Sequence, residues 1–283
     1  MIKTGMPFNQ GVSVEQIESG IVQAALDDFS WPVMICLLGE FQLVKKIDEP
    51  ITIHCGGKGA NLLRLLALKN NNRVGRDTIL DHLWPDASPE LAMQSLNSLV
   101  YDLRKQLSKH LGGLAPILSN DGFYRLNTQA GMGVDVIAFD SLARQSEKAA
   151  QAGDMEFAAQ SAARAIQYYR GDLYGGEELA VTLEQERLRA LFLTLLARLA
   201  DDFFKKGNYA DCLQYAHRLL DYDPCREDAY RMVMRCHVRK GERAAALRQY
   251  HLCRSILFSE FEAAPEPATS ALYDQIRTDP ENV

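Results

Sequence analysis

The sequence has no uninterrupted apolar run near the ~18 residues a membrane-spanning helix needs, so no transmembrane segment is expected. Its first residues, MIKTGMPFNQGVSVEQ, lack the apolar core of a signal peptide, and the expectation is a cytoplasmic protein. There are only 10 prolines and no low-complexity tract, which excludes fibrous and disordered classes. Six cysteines occur (Cys36, Cys55, Cys212, Cys225, Cys236 and Cys253), but no Cys-x-x-Cys pair and no histidine spacing of the zinc type. They lie within apolar patterns, as buried reduced thiols do, and nothing in the sequence supports a redox sensor. No pair among His54, His82, His110, His217, His237 and His251 has metal-ligand spacing with a helical Glu. A phosphate loop with a following Lys-Ser/Thr is also missing, and Gly56-Gly57-Lys58-Gly59 reads as a turn. The expectation is therefore no catalytic site, no metal and no cofactor: a protein that is not an enzyme.

What the chain does have is 283 residues, 47% of them hydrophobic, enough for two domains with real cores. The net charge is −6, yet its distribution is uneven. Residues 33–128 carry eleven Lys and Arg against nine Asp and Glu, a balance of +2, so the acid lies on either side. That charge permits a nucleic-acid partner without requiring one.

Residues 1–32 predict an arm with one helix, Val14 to Phe29, on the apolar spacing of Val14, Ile17, Ile21, Val22, Ala25 and Leu26. Residues 33–54 predict strands: VMICLLGEFQLV, a KKIDEP turn, then ITIH. Three helices follow. The first runs from Lys58 to Lys69 and ends at Asn70–Asn72; the second covers Asp77 to Leu83 and stops at Trp84-Pro85. The third runs from Pro89 to Lys109, with Ser88 as N-cap and Pro89 in its first turn. Asn120-Asp121-Gly122 between two short apolar runs marks a hairpin. Strands, three helices and a hairpin make a winged helix-turn-helix, an α+β domain over 33–128. Trp84 reads as core beneath the second helix.

From Val134 to residue 278 the pattern is helical and repetitive. Gly153, Gly207 and Gly241 each open one motif, with Ala158, Cys212 and Ala246 five residues on. Ala162, Ala216 and Tyr250 follow at nine, and Ala165, Leu219 and Cys253 at twelve. Gly207 and Gly241 are 34 residues apart, the period of tetratricopeptide (TPR) helix pairs. The longer first interval places an insertion at Arg170–Gly176. The fold expected is mainly α: a winged helix followed by an all-α TPR-like domain.

Asn61–Leu66, Arg76–Trp84, Leu99–Leu107 and Asp121–Leu126 together resemble the OmpR-type winged helix, and the body resembles the bacterial transcriptional activator domain. Fused in this order, they resemble the SARP-like activators, over about residues 33–278. The resemblance implies transcription regulation: binding to direct repeats in double-stranded promoter DNA, often as side-by-side dimers, and recruitment of RNA polymerase through its sigma subunit. It also implies that Arg125, after the wing's aromatic pair, enters a minor groove or holds the backbone, and that Asp86 and Glu90 face polymerase.

In the third helix Leu96, Val100, Leu103 and Leu107 form a core stripe, while Asn97, Tyr101, Arg104 and Ser108 repeat on another face. Asn97 suits an adenine edge, and Arg104 a guanine edge or a phosphate. Tyr101 suits a thymine methyl or a phosphate, Ser98 flanks the ridge, and Lys105 and Lys109 suit backbone contacts. Lys58, Arg73 and Arg76 are further phosphate candidates. Asp102 departs from the basic residue the resemblance implies; it repels phosphate, pairs with Lys105 or Gln106, or accepts from a cytosine amino group. The competing function is a TPR-type interaction scaffold, or a ligand-sensing adaptor built on Tyr168, Tyr169, Tyr209, Tyr215, Tyr222 and Tyr230.

Overall fold

The computed structural model describes residues 31–45, 49–51, 56–69, 73–174 and 179–283. The helix expected at 14–29, the strand end at 52–54 and the asparagine cap at 70–72 lie outside the described residues. The described residues fall into two compact units. One holds residues up to Ile35 and Gln42–Gly133; the other holds Cys36–Phe41 and Val134–Val283.

In the first unit, β1 (Val33–Cys36), β2 (Gln42–Lys45) and β3 (Glu49–Pro50) join β7 (Met132–Val134) in a sheet of order β3-β2-β1-β7. Helices α1 (Gly56–Leu68), α2 (Arg76–Leu83) and α3 (Pro89–Leu107) follow, with β4 (Val74–Gly75) between α1 and α2. The hairpin of β5 (Ile117–Asn120) and β6 (Phe123–Leu126) forms the wing, and β4 pairs with β6 in a second sheet, β4-β6-β5. At its tip Asp121 and Gly122 have φ of 49° and 78°, two left-handed residues, as a two-residue turn of matching twist requires. Ser88 caps α3 as expected, its Oγ accepting from the Leu91 N–H at 3.5 Å, with Pro89 at the first position. Leu62, Leu63, Ile79, Leu96, Leu103, Leu107 and Ile117 are fully buried and make the core of this unit.

The second unit is helical: α4 (Asp135–Gln151), α5 (Met155–Ala165), α6 (Leu179–Lys205), α7 (Tyr209–Tyr222), α8 (Glu227–Arg239), α9 (Arg243–Phe261) and α10 (Pro267–Thr278). Gly153, Gly207 and Gly241 all take positive φ, of 82°, 74° and 77°, where one helix ends and its partner begins. Only glycine adopts that geometry without strain, so each marks a helix-pair junction. The small residues five and nine positions on are the points of close approach. Ala158, Cys212, Ala246, Ala162 and Ala216 are all completely buried.

The apolar run at 33–44 is not one strand, as its composition suggests. It breaks at Gly39 (φ 103°), and residues 36–41 associate with the helical unit. Gly39 N donates to Asp172 O at 2.9 Å, Tyr174 N donates to Leu37 O at 2.6 Å, and Leu38 bridges to Leu173. Asp135, the first residue of α4, completes this join. Its buried carboxyl group accepts from the N–H groups of Leu37 (2.8 Å), Leu38 (2.8 Å) and Val136 (2.7 Å). Burial outweighs those donors and pushes the carboxyl up to about 7.

Candidate nucleic-acid interface

A helix that reads DNA has to bury one side and leave the opposite side unoccupied. In α3 the buried side is Ala92, Leu96, Leu99, Val100, Leu103 and Leu107. Opposite it, Gln94, Asn97, Ser98, Tyr101 and Lys105 are exposed, and Tyr101 is 65% accessible despite its ring. None of the five is engaged by another described residue, so their donors and acceptors point to solvent. Gln94 does not appear in the sequence reading, although its spacing to Asn97, Ser98, Tyr101 and Lys105 (3, 4, 7 and 11 residues) is helical.

Arg104 departs from the expected groove-facing role. At about 100° per residue it sits roughly 80° from the centre of the leucine stripe, on the flank of the helix and not its outer ridge. It is half-buried, and its Nε and Nη2 donate to Ile117 O at 3.2 and 3.0 Å; Nη2 also donates to Ser119 Oγ at 3.0 Å. The guanidinium therefore clamps the wing strand β5 to α3. Asp102 lies on the opposite flank and is exposed, about 85° from the ridge centre.

The wing places two arginines together. The β4–β6 register pairs Val74 with Tyr124 and Gly75 with Phe123. One step further, Arg73 falls beside Arg125, and both are exposed. Side chains alternate along β6, so Phe123 (44% exposed) and Arg125 share the outer face while Tyr124 and Leu126 are buried. The β5–β6 ladder and the backbone bond from Arg76 N to Gly122 O (2.8 Å) hold this wing against the start of α2.

Of the remaining cations, Lys109 is exposed just past α3, next to His110. Burial, helped by the positive charges of Lys109 and Lys45, holds the His110 imidazole below its ordinary range. Arg76 is exposed, with Nε 3.8 Å from Asp77 Oδ1. Lys58 is otherwise employed: its Nζ donates to Leu83 O at the end of α2 and lies 4.8 Å from the Trp84 ring centroid. A lysine that caps a helix C-terminus and covers an indole is a poor phosphate contact. Trp84 is accordingly half-buried beneath Lys58, not fully in the core. Asp86 and Glu90 are exposed on the turn between α2 and α3 and at the start of α3.

The tyrosines of the second unit pack against neighbouring rings. Tyr169 stacks on Phe192 (4.1 Å) with Tyr222 at their edges, Tyr215 stacks on Phe203 (5.4 Å), and Tyr209 tilts against Phe204. Tyr168 and Tyr230 are buried. Such ring contacts add to the packing of the repeats, and no metal-binding group of three His, Cys, Asp or Glu exists among the described residues.

Residues 134–277 match the family model of the bacterial transcriptional activator domain. The chain belongs to that family. Residues 49–118 of this bacterial transcriptional activator domain protein match a second model, transcriptional regulatory protein, C terminal, a stretch that holds the three helices of the winged helix and the start of β5. The chain is 28% identical to regulatory protein AfsR of Streptomyces coelicolor over 76% of its own length. It is 25% identical to regulatory protein DnrI of Streptomyces peucetius over 79%. It spans 21% of AfsR and 85% of DnrI. Among solved structures, EmbR of Mycobacterium tuberculosis, in complex with a low-affinity phosphopeptide, shares the fold with a TM-score of 0.66 at 22% identity. That match covers 87% of this chain and 65% of EmbR. The SARP-like resemblance drawn from the sequence is borne out, and with it the winged helix followed by helical repeats. No described helix of this activator-domain protein is long and apolar enough to cross a membrane.

Proposed function

We propose that the chain is a sequence-specific DNA-binding transcription activator that lays α3 in the major groove. The observation that carries this reading is the unoccupied polar ridge of Gln94, Asn97, Ser98, Tyr101 and Lys105 opposite a fully packed leucine stripe. In this reading Asn97 and Gln94 pair with adenine edges, Tyr101 meets a thymine methyl, and Ser98 adds a flanking contact. Lys105 and Lys109 hold the phosphate backbone beyond the helix, and Arg76 holds it near α2. Arg73 and Arg125, with Phe123 between them and the wing tip, follow the strand into the neighbouring minor groove. Arg104 acts indirectly, by keeping the wing at the angle that lets both elements reach DNA.

The family relatives are regulatory proteins, and this chain's own pairing of the two domains supports an activator on promoter DNA. Two chains lie side by side on direct repeats. Asp86 and Glu90 face RNA polymerase, through its sigma subunit. Selection of bound fragments from sheared genomic DNA tests all of this together. The expected outcome is a motif occurring twice in the same orientation, centred about one helical turn apart, roughly 10–11 base pairs. Recovery of fragments with no shared motif overturns the reading.

A further inference from the structure

In the second unit Cys212 of α7 and Cys236 of α8 bring their Sγ atoms to 3.2 Å, within hydrogen-bonding distance of each other. Both residues are completely buried. They pack with Ala200 beneath Phe203, Phe204, Tyr209 and Met232, an apolar shell with no other thiol among the described residues. A disulfide needs the sulfurs at about 2.05 Å, so about an ångström of approach closes the bond. The position is special to this repeat. The equivalent residues five after the junction glycine, Ala158 and Ala246, carry no sulfur.

We infer that Cys212 and Cys236 form a redox-responsive dithiol, which a small hydroperoxide such as hydrogen peroxide closes to a disulfide linking α7 to α8. The Cys236 thiolate attacks one peroxide oxygen. The O–O bond breaks, the sulfur becomes a sulfenic acid, and the departing hydroxide takes up the thiol proton as water. Cys212 Sγ then attacks the sulfenic sulfur, the S–O bond breaks, and a second water leaves with the Cys212 proton. Two thiols lose two electrons and two protons, and one peroxide becomes two waters. The shared hydrogen bond couples the two thiols, so one sulfur of the pair ionises more readily while the other keeps its proton. Burial sets the outcome. A small oxidant enters by local opening of the helix pair, whereas glutathione-sized thiols do not, so the nearest nucleophile for the sulfenic acid is its neighbour.

The other described cysteines lack this arrangement. Cys36 is buried near the Asp135 carboxyl, and burial pushes its thiol up to about 12. Cys225 is half-buried in the turn joining α7 to α8, and burial also raises Cys253, to about 12.

The test treats the full chain with hydrogen peroxide, or with diamide as a second thiol oxidant, then unfolds it in alkylating reagent for peptide mass spectrometry. The expected result is a loss of two mass units and a cross-linked pair of peptides carrying Cys212 and Cys236, reversed by dithiothreitol. The bond closes a loop of about 25 residues, and the unfolding midpoint should rise by about 5 °C or more. Cys212→Ser should abolish the cross-link and drive Cys236 on to sulfinic acid, while Cys225→Ser should leave the cross-link intact; circular dichroism checks that both variants fold. Full alkylation of Cys212 and Cys236 after both oxidants, or a disulfide that takes in Cys225 instead, overturns the inference.

Discussion

Arg104 shows how one side chain can be right in type and different in task. A charge-assisted fork to the Ile117 carbonyl and the Ser119 hydroxyl is worth about 1.5–3 kcal/mol per charged hydrogen bond, and its loss leaves a strand carbonyl unpaired. Arg104→Ala should therefore lower both the unfolding midpoint and DNA affinity, and leave the slope of log affinity against log salt unchanged. A phosphate contact would instead reduce that slope by about one. Anisotropy titrations across salt distinguish the two. Asp102 makes the opposite case: exposed on the far flank, it adds negative charge next to the groove face. Asp102→Arg should raise affinity several-fold and steepen the salt slope by about one, with unchanged circular dichroism. A fall in affinity would mean the carboxylate accepts a hydrogen bond from the bound DNA. Asp135 sets a pH dependence. Its folded-state value, raised to about 7, lies above the ordinary 3.8, so the native state holds a proton that the unfolded chain has released. Stability from this group therefore falls as pH rises from about 4 to about 7. Asp135→Asn removes the titration, so the advantage of the native protein over the variant should shrink between pH 5 and pH 8 in urea unfolding. A constant advantage would contradict the buried, protonated carboxyl.

At the scale of elements, the periodicities carried most of the information. The leucine stripe of α3, the Ser88-Pro89 start, the Asp-Gly hairpin and the three junction glycines all lie where spacing and residue type place them. Local chemistry decides such features. The departures come from tertiary partners that no spacing reveals. Arg104 and Asn97 share a helical period, but only the strand position distinguishes the one that reaches Ile117 O. Lys58 was indistinguishable from a phosphate ligand until Leu83 O and Trp84 lay within reach. The apolar run 33–44 reads as one strand because its composition does not show that Asp135, far along the chain, binds the N–H groups of Leu37 and Leu38. The Arg73–Arg125 neighbourhood likewise follows from strand register and not from sequence distance. In the repeats, the small residues can be tested directly. Ala162 is completely buried where paired helices approach, so Ala162→Leu should overpack the contact and cost roughly 1–3 kcal/mol. Urea denaturation followed at 222 nm measures it; a neutral result would mean that the junction has room to spare.

For the whole molecule, the net charge of −6 works against any polyanion, and binding must rest on how the surface is organised. Lys105 and Lys109 at the end of α3 and the Arg73–Arg125 pair beside the wing collect positive charge around the uncharged, hydrogen-bonding Gln94, Asn97, Ser98 and Tyr101. Backbone attraction and base reading should therefore be separable. The most direct test measures affinity for a genome-selected site and for scrambled duplex, using the native chain and Asn97→Ala/Tyr101→Ala. The double variant should lose about tenfold or more on the selected site and change little on the scrambled one, erasing most of the preference. Undiminished discrimination between the two duplexes by a folded double variant would contradict the claim that α3 reads the bases.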